Sequence, residues 1–319
     1  MQYLIVAILL FVVELLYFKI ANKFNIIDKP NERSSHTQVT LRGGGIVFYF
    51  GVLIYFLYSG FEYPWFFLGL TLMTVISFLD DVFTLSNKVR LLIHLVSVLL
   101  MFQQWDLFDL SMIWVFLSLV VTIGTINAYN FMDGINGITA LYSLAVLGLL
   151  ALVNLEVHFV DSALIYYTMV AAGVFAFFNC RVKAKCFAGD VGSVSMAFIV
   201  IFLLGMLLMK TENFIYILFL AVYGMDTVWT IVRRTLKREN IFKAHRSHLY
   251  QFLSNEAGQN KLIVAATYAV LQFALGYAVI VFSTRDAVFQ IIFSSALLLG
   301  LSLVYLFLKQ YIINKYKIV

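Results

Sequence analysis

Long apolar runs alternate with short polar breaks along this chain, and the runs have one preferred length. Stretches of about 17 to 22 largely apolar residues recur throughout, the number a helix rising 1.5 Å per residue needs to cross roughly 30 Å of hydrocarbon. The pattern predicts about eleven spans, at 2–21, 44–60, 64–80, 89–104, 110–127, 135–153, 161–179, 191–209, 213–232, 262–282 and 287–308. The expected fold class is all-α, a polytopic transmembrane helical bundle.

Composition removes the soluble alternative: 62% of the 319 residues are hydrophobic and 12% charged, with two prolines, more apolar surface than a soluble domain can hide. Charge then orients the bundle. With the N-terminus outside and the C-terminus cytoplasmic, 20 of the 22 lysines and arginines fall on inner connections, and only Lys210 and Arg285 lie outside. That is the positive-inside bias, so the net charge of +5 follows from topology. Anionic membrane lipids, rather than nucleic acid, are the expected neighbours of that face.

The first span lacks a basic leader and a small-residue cleavage site and reads as a retained anchor. Cys180 and Cys186 flank the basic stretch Arg181–Lys185 on the reducing side, with no second Cys/His pair to complete a zinc pattern. No linker or repeat divides the chain, which predicts a single integral-membrane domain over residues 1–319. Its cytoplasmic loops 22–43, 81–88, 127–135, 180–190 and 233–261 are expected to form an active site.

The polar residues that interrupt the runs gather on that same face. Asp80 and Asp81 end a span, and Lys88 and Arg90 open the next; paired carboxylates at a membrane boundary suit a site handling a cation or a proton. The segment from Asn127 to Gly137 holds Asn127, Asn130, Asp133 and Asn136, more amide and carboxylate groups than an interhelical turn requires. Asn127 and Asn130, three apart, share a helical face, and Gly134 and Gly137 permit tight turns. Asp190 lies in Gly189-Asp190-Val191-Gly192-Ser193, directly after Arg181, Lys183 and Lys185. It is either a helix cap or a metal ligand beside phosphate, since Mg²⁺ takes one or two carboxylates plus substrate oxygens.

The long second loop carries His245-Arg246-Ser247-His248, suited to anion recognition or to contact with lipid headgroups. In the first loop, His36 and Arg42 precede Gly43-Gly44-Gly45, which either expose amides to an anion or pack helices closely. Asp226, seven residues before Arg233, lies close enough to the inner face to support the site. Glu14, in the first span, has no partner visible in sequence, and His158 lies on the outer side.

Taken together, from about Asp28 to Tyr250, these segments resemble the polyprenyl-phosphate N-acetylhexosamine-1-phosphate transferases of glycosyltransferase family 4. The early Asp-Asp, the Asn-rich Asp-Gly-x-x-Gly, the Gly-Asp-x-Gly-Ser and the late histidine motif carry the likeness, which is nearest the WecA- and WbpL-like branch. The resemblance implies a Mg-dependent phosphotransferase (EC 2.7.8.-) in the bacterial inner membrane with its active site facing the cytoplasm. It would transfer an N-acetylhexosamine-1-phosphate from a UDP-amino sugar to undecaprenyl phosphate, releasing UMP and initiating a cell-surface polysaccharide.

By the same resemblance Asp190 is the principal ligand of Mg²⁺, with Mn²⁺ as an alternative, and Asp80 and Asp81 deprotonate or position the lipid phosphate. Asn130 and Asp133 hold nucleotide or diphosphate, and His245, Arg246 and His248 face diphosphate or sugar. Arg42, Lys88, Asn127 and Asn136 complete the expected substrate contacts. A homodimer is compatible with this reading.

The chain departs from the family pattern at two places. Position 136 is Asn where many members carry a second Asp, so no carboxylate role transfers there. The late motif is His-Arg-Ser-His rather than three consecutive histidines, which argues against a muramoyl-pentapeptide donor. A rival reading is an ion- or proton-coupled transporter; transporters place their sites near the midplane on broken helices, often in repeated halves. Intramembrane prenyltransferases need a DDxxD-type spacing that Asp80-Asp81-Val82-Phe83-Thr84 does not supply.

Overall fold

The computed structural model describes residues 1–30, 35–83, 85–240 and 245–317. Arg33 and Lys243, counted above among the inner cations, lie outside the described residues, as do parts of loops 22–43 and 233–261.

Helix α1 (Gln2–Lys23) leads into a short antiparallel ribbon in which β1 (Ile27–Asp28) pairs with β2 (Thr40–Leu41). One 3₁₀ turn, Gly44–Ile46, opens α2 (Val47–Tyr58). There follow α3 (Pro64–Phe83), α4 (Asn87–Gln104), α5 (Met112–Met132), α6 (Ile138–Val157), α7 (Ser162–Asn179) and α8 (Gly189–Thr211). A 3₁₀ segment, Phe214–Leu220, precedes α9 (Ala221–Leu236). The short turn α10 (Leu249–Gln251) runs into a π-helical turn at Phe252–Glu256, and α11 (Lys261–Phe282) and α12 (Ala287–Tyr316) complete the bundle.

Every expected span falls on helical structure, two of them beginning as 3₁₀ segments. Among the described residues, nine helices are long and apolar enough to cross a membrane. Two expected spans are outside that set. The apolar helix Gly44–Tyr58 is short, reaching about 22 Å at 1.5 Å per residue, and α4 carries Lys88, Arg90 and His94.

Helix α8 is the axis of the bundle. From Val191 to Met209 it carries no charged residue, the pattern of a helix that lies in a core or spans a membrane. It is buried along most of its length against α2, α3, α5 and α6, so its first residues emerge at the centre of one end of the bundle. By contrast α12 buries only Tyr305, Lys309 and Ile312.

The triple glycine answers the alternative left open by the sequence in favour of packing. A Cβ on Gly45 would lie 2.4 Å from the Gly192 Cα, and one on Gly192 would lie 2.6 Å from the Gly45 Cα. The entry to α2 and the first turn of α8 therefore touch backbone to backbone, as small residues allow in membrane bundles.

One expected span is not a continuous helix. The run at 213–232 changes from 3₁₀ to α at Leu220–Ala221, and Gln272 of α11 bonds the groups this change frees. Its Nε2 donates to the Leu218 carbonyl (3.1 Å), while its Oε1 accepts from the Val222 amide (3.0 Å) and the Tyr142 hydroxyl (2.8 Å). Internal satisfaction of this kind is required in a medium without water.

Gly192→Ala is expected to destabilise the fold by about 1–3 kcal/mol through overpacking, read as a lower melting temperature of the purified protein in detergent. Gly124→Ala is the control, because its added Cβ meets nothing within 4 Å.

Candidate functional site

The site is assembled from three chain segments around the start of α8. The return strand of the first loop joins the segment before α8: the Phe187 amide donates to the Leu41 carbonyl (2.8 Å), and the Gly44 and Gly45 amides donate to the carbonyls of Phe187 (2.9 Å) and Ala188 (3.2 Å). This pairing brings Arg42 beside Asp190. Tyr17 of α1 donates its hydroxyl to the Arg42 carbonyl (2.5 Å).

The end of α3 closes the assembly. Asp81, its side chain 1% exposed, accepts the amides of Asp190 (3.2 Å) and Val191 (3.1 Å) and meets Arg42 at 2.7 Å. Those amides are among the four donors that a helix start leaves unsatisfied. Gly189, at φ +71°, permits the approach, since a Cβ there would lie 2.6 Å from Asp81 Oδ2.

Two arginines tie three carboxylates together. Arg42 bridges Asp81 and Asp190 (3.0 Å), and Arg90 bridges Asp80 (2.6 Å) and Asp190 (3.5 Å). Asp80 also accepts the Leu85 amide at 2.7 Å, holding the turn between α3 and α4. Contact with Asp81 and Asp190 outweighs burial and raises the already high pKa of the Arg42 guanidinium further.

Beside this cluster opens a cavity of about 410 Å³ with a largely polar wall. Arg42, Asp190, Asn130, Asp133, Asn136 and His245 all line it; Asp28 and His36 of the first loop complete one side. Asn130 Oδ1 lies 2.9 Å from the Ser193 hydroxyl, which fixes it against α8. Asp133 caps α5 and accepts the Thr139 hydroxyl at 2.6 Å. Burial, only partly offset by that hydrogen bond, pushes its carboxyl up to about 6. Asn136 spends its amide hydrogens on the carbonyls of Arg181 (2.7 Å) and Val182 (3.3 Å), so it shapes the turn after α7 as well as the wall.

The histidine motif divides. His245 reaches the cavity, its Nδ1 2.8 Å from the Ser247 hydroxyl, and burial together with nearby His248 lowers its pKa to about 4. Arg246 pairs with Glu256 at 2.8 Å and is not part of the cavity wall. His248 is 2% exposed, with Nδ1 3.3 Å from Asp226 Oδ1. Asp226 also accepts the amides of Leu249 (2.9 Å) and Tyr250 (3.2 Å) and the hydroxyl of Tyr268 (2.7 Å).

Two other expected contact residues lie apart from the cavity wall. Lys88 is exposed, and the cation that reaches Asp80 and Asp190 is Arg90. Asn127 is exposed and bonds the Ile123 carbonyl of its own helix at 2.9 Å, outside the cavity wall that Asn130 lines. The sequence also passed over Asn179, which accepts the Gly137 amide (2.7 Å) and donates to the Cys186 carbonyl (2.8 Å), tying α6 and α7 to the α8 entry. Glu14 has a partner after all: its Oε1 lies 3.5 Å from Cys186 Sγ.

Among the described residues no group of three or more His, Cys, Asp or Glu side chains is arranged to hold a metal ion by itself. The cavity nevertheless offers hard oxygen donors from Asp190, Asp133 and Asn130. That donor type fits an ion completed by substrate phosphate and water.

Residues 63–209, covering α3 to most of α8, match the family model for glycosyl transferase family 4. Over 280 residues the chain is 25% identical to a probable undecaprenyl-phosphate N-acetylglucosaminyl 1-phosphate transferase of Bacillus subtilis (strain 168), covering 79% of this chain and 76% of the relative. Over 278 residues it is 27% identical to the undecaprenyl-phosphate alpha-N-acetylglucosaminyl 1-phosphate transferase of Escherichia coli O157:H7, and 26% identical to that of strain K12. Each match covers 78% of this chain and 75% of the relative.

Two measurements check the geometry. Asp81→Ala leaves two helix-start amides without their acceptor and Arg42 with one carboxylate partner in place of two, and is expected to cost about 1–3 kcal/mol, seen as a lower melting temperature. Asp133 binds its proton more tightly folded than unfolded, so its contribution to stability is greatest at acid pH. That contribution is lost as pH rises from the ordinary carboxylate range through about 6. Asp133→Asn is expected to remove this component from the melting temperature against pH, and an unchanged profile counts against the assignment.

Proposed function

The chain belongs to glycosyl transferase family 4, the polyprenyl-phosphate N-acetylhexosamine-1-phosphate transferase group, and from that premise we propose the following reaction. A terminal phosphate oxygen of undecaprenyl phosphate attacks the sugar-bearing phosphorus of a UDP-linked N-acetylhexosamine, GlcNAc or a related amino sugar. The bond from that phosphorus to the bridging oxygen breaks, UMP leaves with the electron pair, and the product is a lipid-linked sugar diphosphate that initiates a surface polysaccharide. The observation that supports this most directly is the convergence of Arg42, Arg90, Asp190 and Asp133 beside one polar cavity at the end of the central helix.

Phosphoryl transfer asks a protein mainly for positioning and charge neutralisation. A phosphomonoester with a second pKa near about 6 is already largely dianionic at pH 7. The acceptor therefore needs its repulsion from the donor offset more than it needs a base. In this reading Asp80 and Asp81 position the phosphate site by fixing Arg90, Arg42 and the start of α8. Arg42 and Arg90 present planar forks suited to phosphate, Asn130 and Asp133 hold the nucleotide diphosphate, and His245 faces the sugar diphosphate.

Asp80, Asp81 and Asp190 against Arg42 and Arg90 leave one formal negative charge before either anionic substrate arrives. Mg²⁺, or Mn²⁺, held by Asp190 with Asp133 and Asn130 nearby, would supply the missing positive charge at the phosphate oxygens. The single domain has eleven spans, its N-terminus outside and its site facing the cytoplasm of a bacterial inner membrane, where a soluble sugar nucleotide and a lipid phosphate can both arrive. The transporter reading is weaker: the break before α9 is filled by Gln272 and Tyr142, and the polar cavity lies at the end of the bundle.

Purified protein given labelled UDP-GlcNAc, undecaprenyl phosphate and Mg²⁺ is expected to release UMP and form a labelled lipid, and to stop when the metal is chelated. Neither product forms if the chain is a transporter. Asp190→Asn is expected to lower turnover by about a hundred- to a thousandfold in a protein that still folds; full turnover in that variant removes Asp190 from the site.

A further inference from the structure

Helix α12 lies beyond the matched segment 63–209 and faces outward along nearly all of its 30 residues. Its three buried side chains, Tyr305, Lys309 and Ile312, follow the i, i+4, i+7 spacing of one helical face. That face meets α9, where the Tyr305 hydroxyl lies 3.0 Å from that of Thr230, and the segment after the histidine motif. Tyr305 and Ile312 form a separate apolar cluster with Leu249 and Phe252, the residues directly after the histidine motif.

Lys309 stands at the centre of this contact and is 3% exposed. Its ammonium donates to the carbonyl of Ser247 and lies 4.0 Å from the centre of the Phe252 ring. A buried ammonium is costly unless its interactions are specific, and a single apolar residue would pack this face more cheaply. What the lysine adds is a directed bond to the backbone between His245 and His248.

The next residues of the same loop are held by Asp226 through the Leu249 and Tyr250 amides and His248 Nδ1. A third tie reaches across to the first loop. Asn255 in the π-helical turn donates to the Ser35 hydroxyl at 3.0 Å, and Lys261 donates to the Ser35 carbonyl. Ser35, His36, His245 and Gln251 all line the cavity.

We infer that Lys309 and Asp226 are positioning residues that together clamp the loop His245–His248, Lys309 at the Ser247 carbonyl and Asp226 at His248 and the two amides after it, and that α12 serves the binding of the sugar-nucleotide donor through this clamp. The inference rests on the functional reading above and adds a role for a helix that touches neither substrate. Lys309 acts through His245, the one residue of the motif in the cavity wall. Loosening the clamp disturbs the donor and leaves the lipid phosphate site around Arg42, Arg90 and Asp190 as it was.

The test compares full-length Lys309→Met, Lys309→Arg and Ile312→Ala in detergent. Lys309→Met keeps volume and removes the bond. It is expected to raise KM for the UDP-amino sugar about ten- to a hundredfold, with kcat and the acceptor KM near wild type. Backbone hydrogen exchange over 245–251 is expected to rise in the same variant. Lys309→Arg, which still donates, restores both readings towards wild type. Ile312→Ala lowers the melting temperature and leaves the donor KM unchanged.

Unchanged exchange over 245–251 in Lys309→Met overturns the clamp, as does a loss of kcat and both KM values in step with a lower melting temperature. If Lys309→Met does not accumulate, Lys309→Gln takes its place with the same two readings. A wild-type protein that turns over no sugar nucleotide refutes the reaction, while the exchange measurement still decides the clamp.

Discussion

Everything at the functional end of this molecule depends on how the first turn of α8 is held. A helix start carries unsatisfied amides and a partial positive charge, and here it emerges at the middle of a membrane bundle. Asp81 supplies the acceptor from α3, Gly45 and Gly192 let the neighbouring backbone come into contact, and Arg42 is locked between Asp81 and Asp190. One carboxylate thereby joins α3, the first loop and α8. Removing it would leave Arg42 with Asp190 alone and two helix-start amides without an acceptor.

The same arrangement explains why so polar a cluster survives at the edge of hydrocarbon. Each arginine meets two carboxylates and each carboxylate has a charged or amide partner, so burial leaves little unpaired. Arginine suits this because its planar fork serves two acceptors at once. A cluster so satisfied is rigid before any ligand binds, and a site that must hold two repelling phosphates gains most from rigidity established in advance.

Much of the site was legible along the chain because the residues at its heart are polar groups where an apolar span ends, and in a membrane such groups need a reason. Asp80, Asp81, Asn130, Asp133 and Asp190 all stand at such positions in the sequence. Lys88 and Arg90 open the same helix, and their order along the chain does not tell which of them faces the carboxylates. Two residues apart on an α-helix they point to nearly opposite sides, and only the packing of α4 against α3 decides which side is inward. Asn127 and Asn130 are closer in angle, yet the boundary between cavity and exterior passes between them.

The order of apolar and polar residues determined by itself that the chain is a membrane helical bundle, where its helices run, and at which helix ends its polar groups gather. Hydrophobic length and charge at the ends of spans are local properties, and local properties can be read in order. Tertiary structure alone decided that the helix changes form before α9 where Gln272 can satisfy it, that only His245 of its motif reaches the cavity, and that Lys309 bonds the Ser247 carbonyl within that motif. Each of those outcomes depends on a bond between residues dozens of positions apart, and such a bond exists only once the intervening helices have packed.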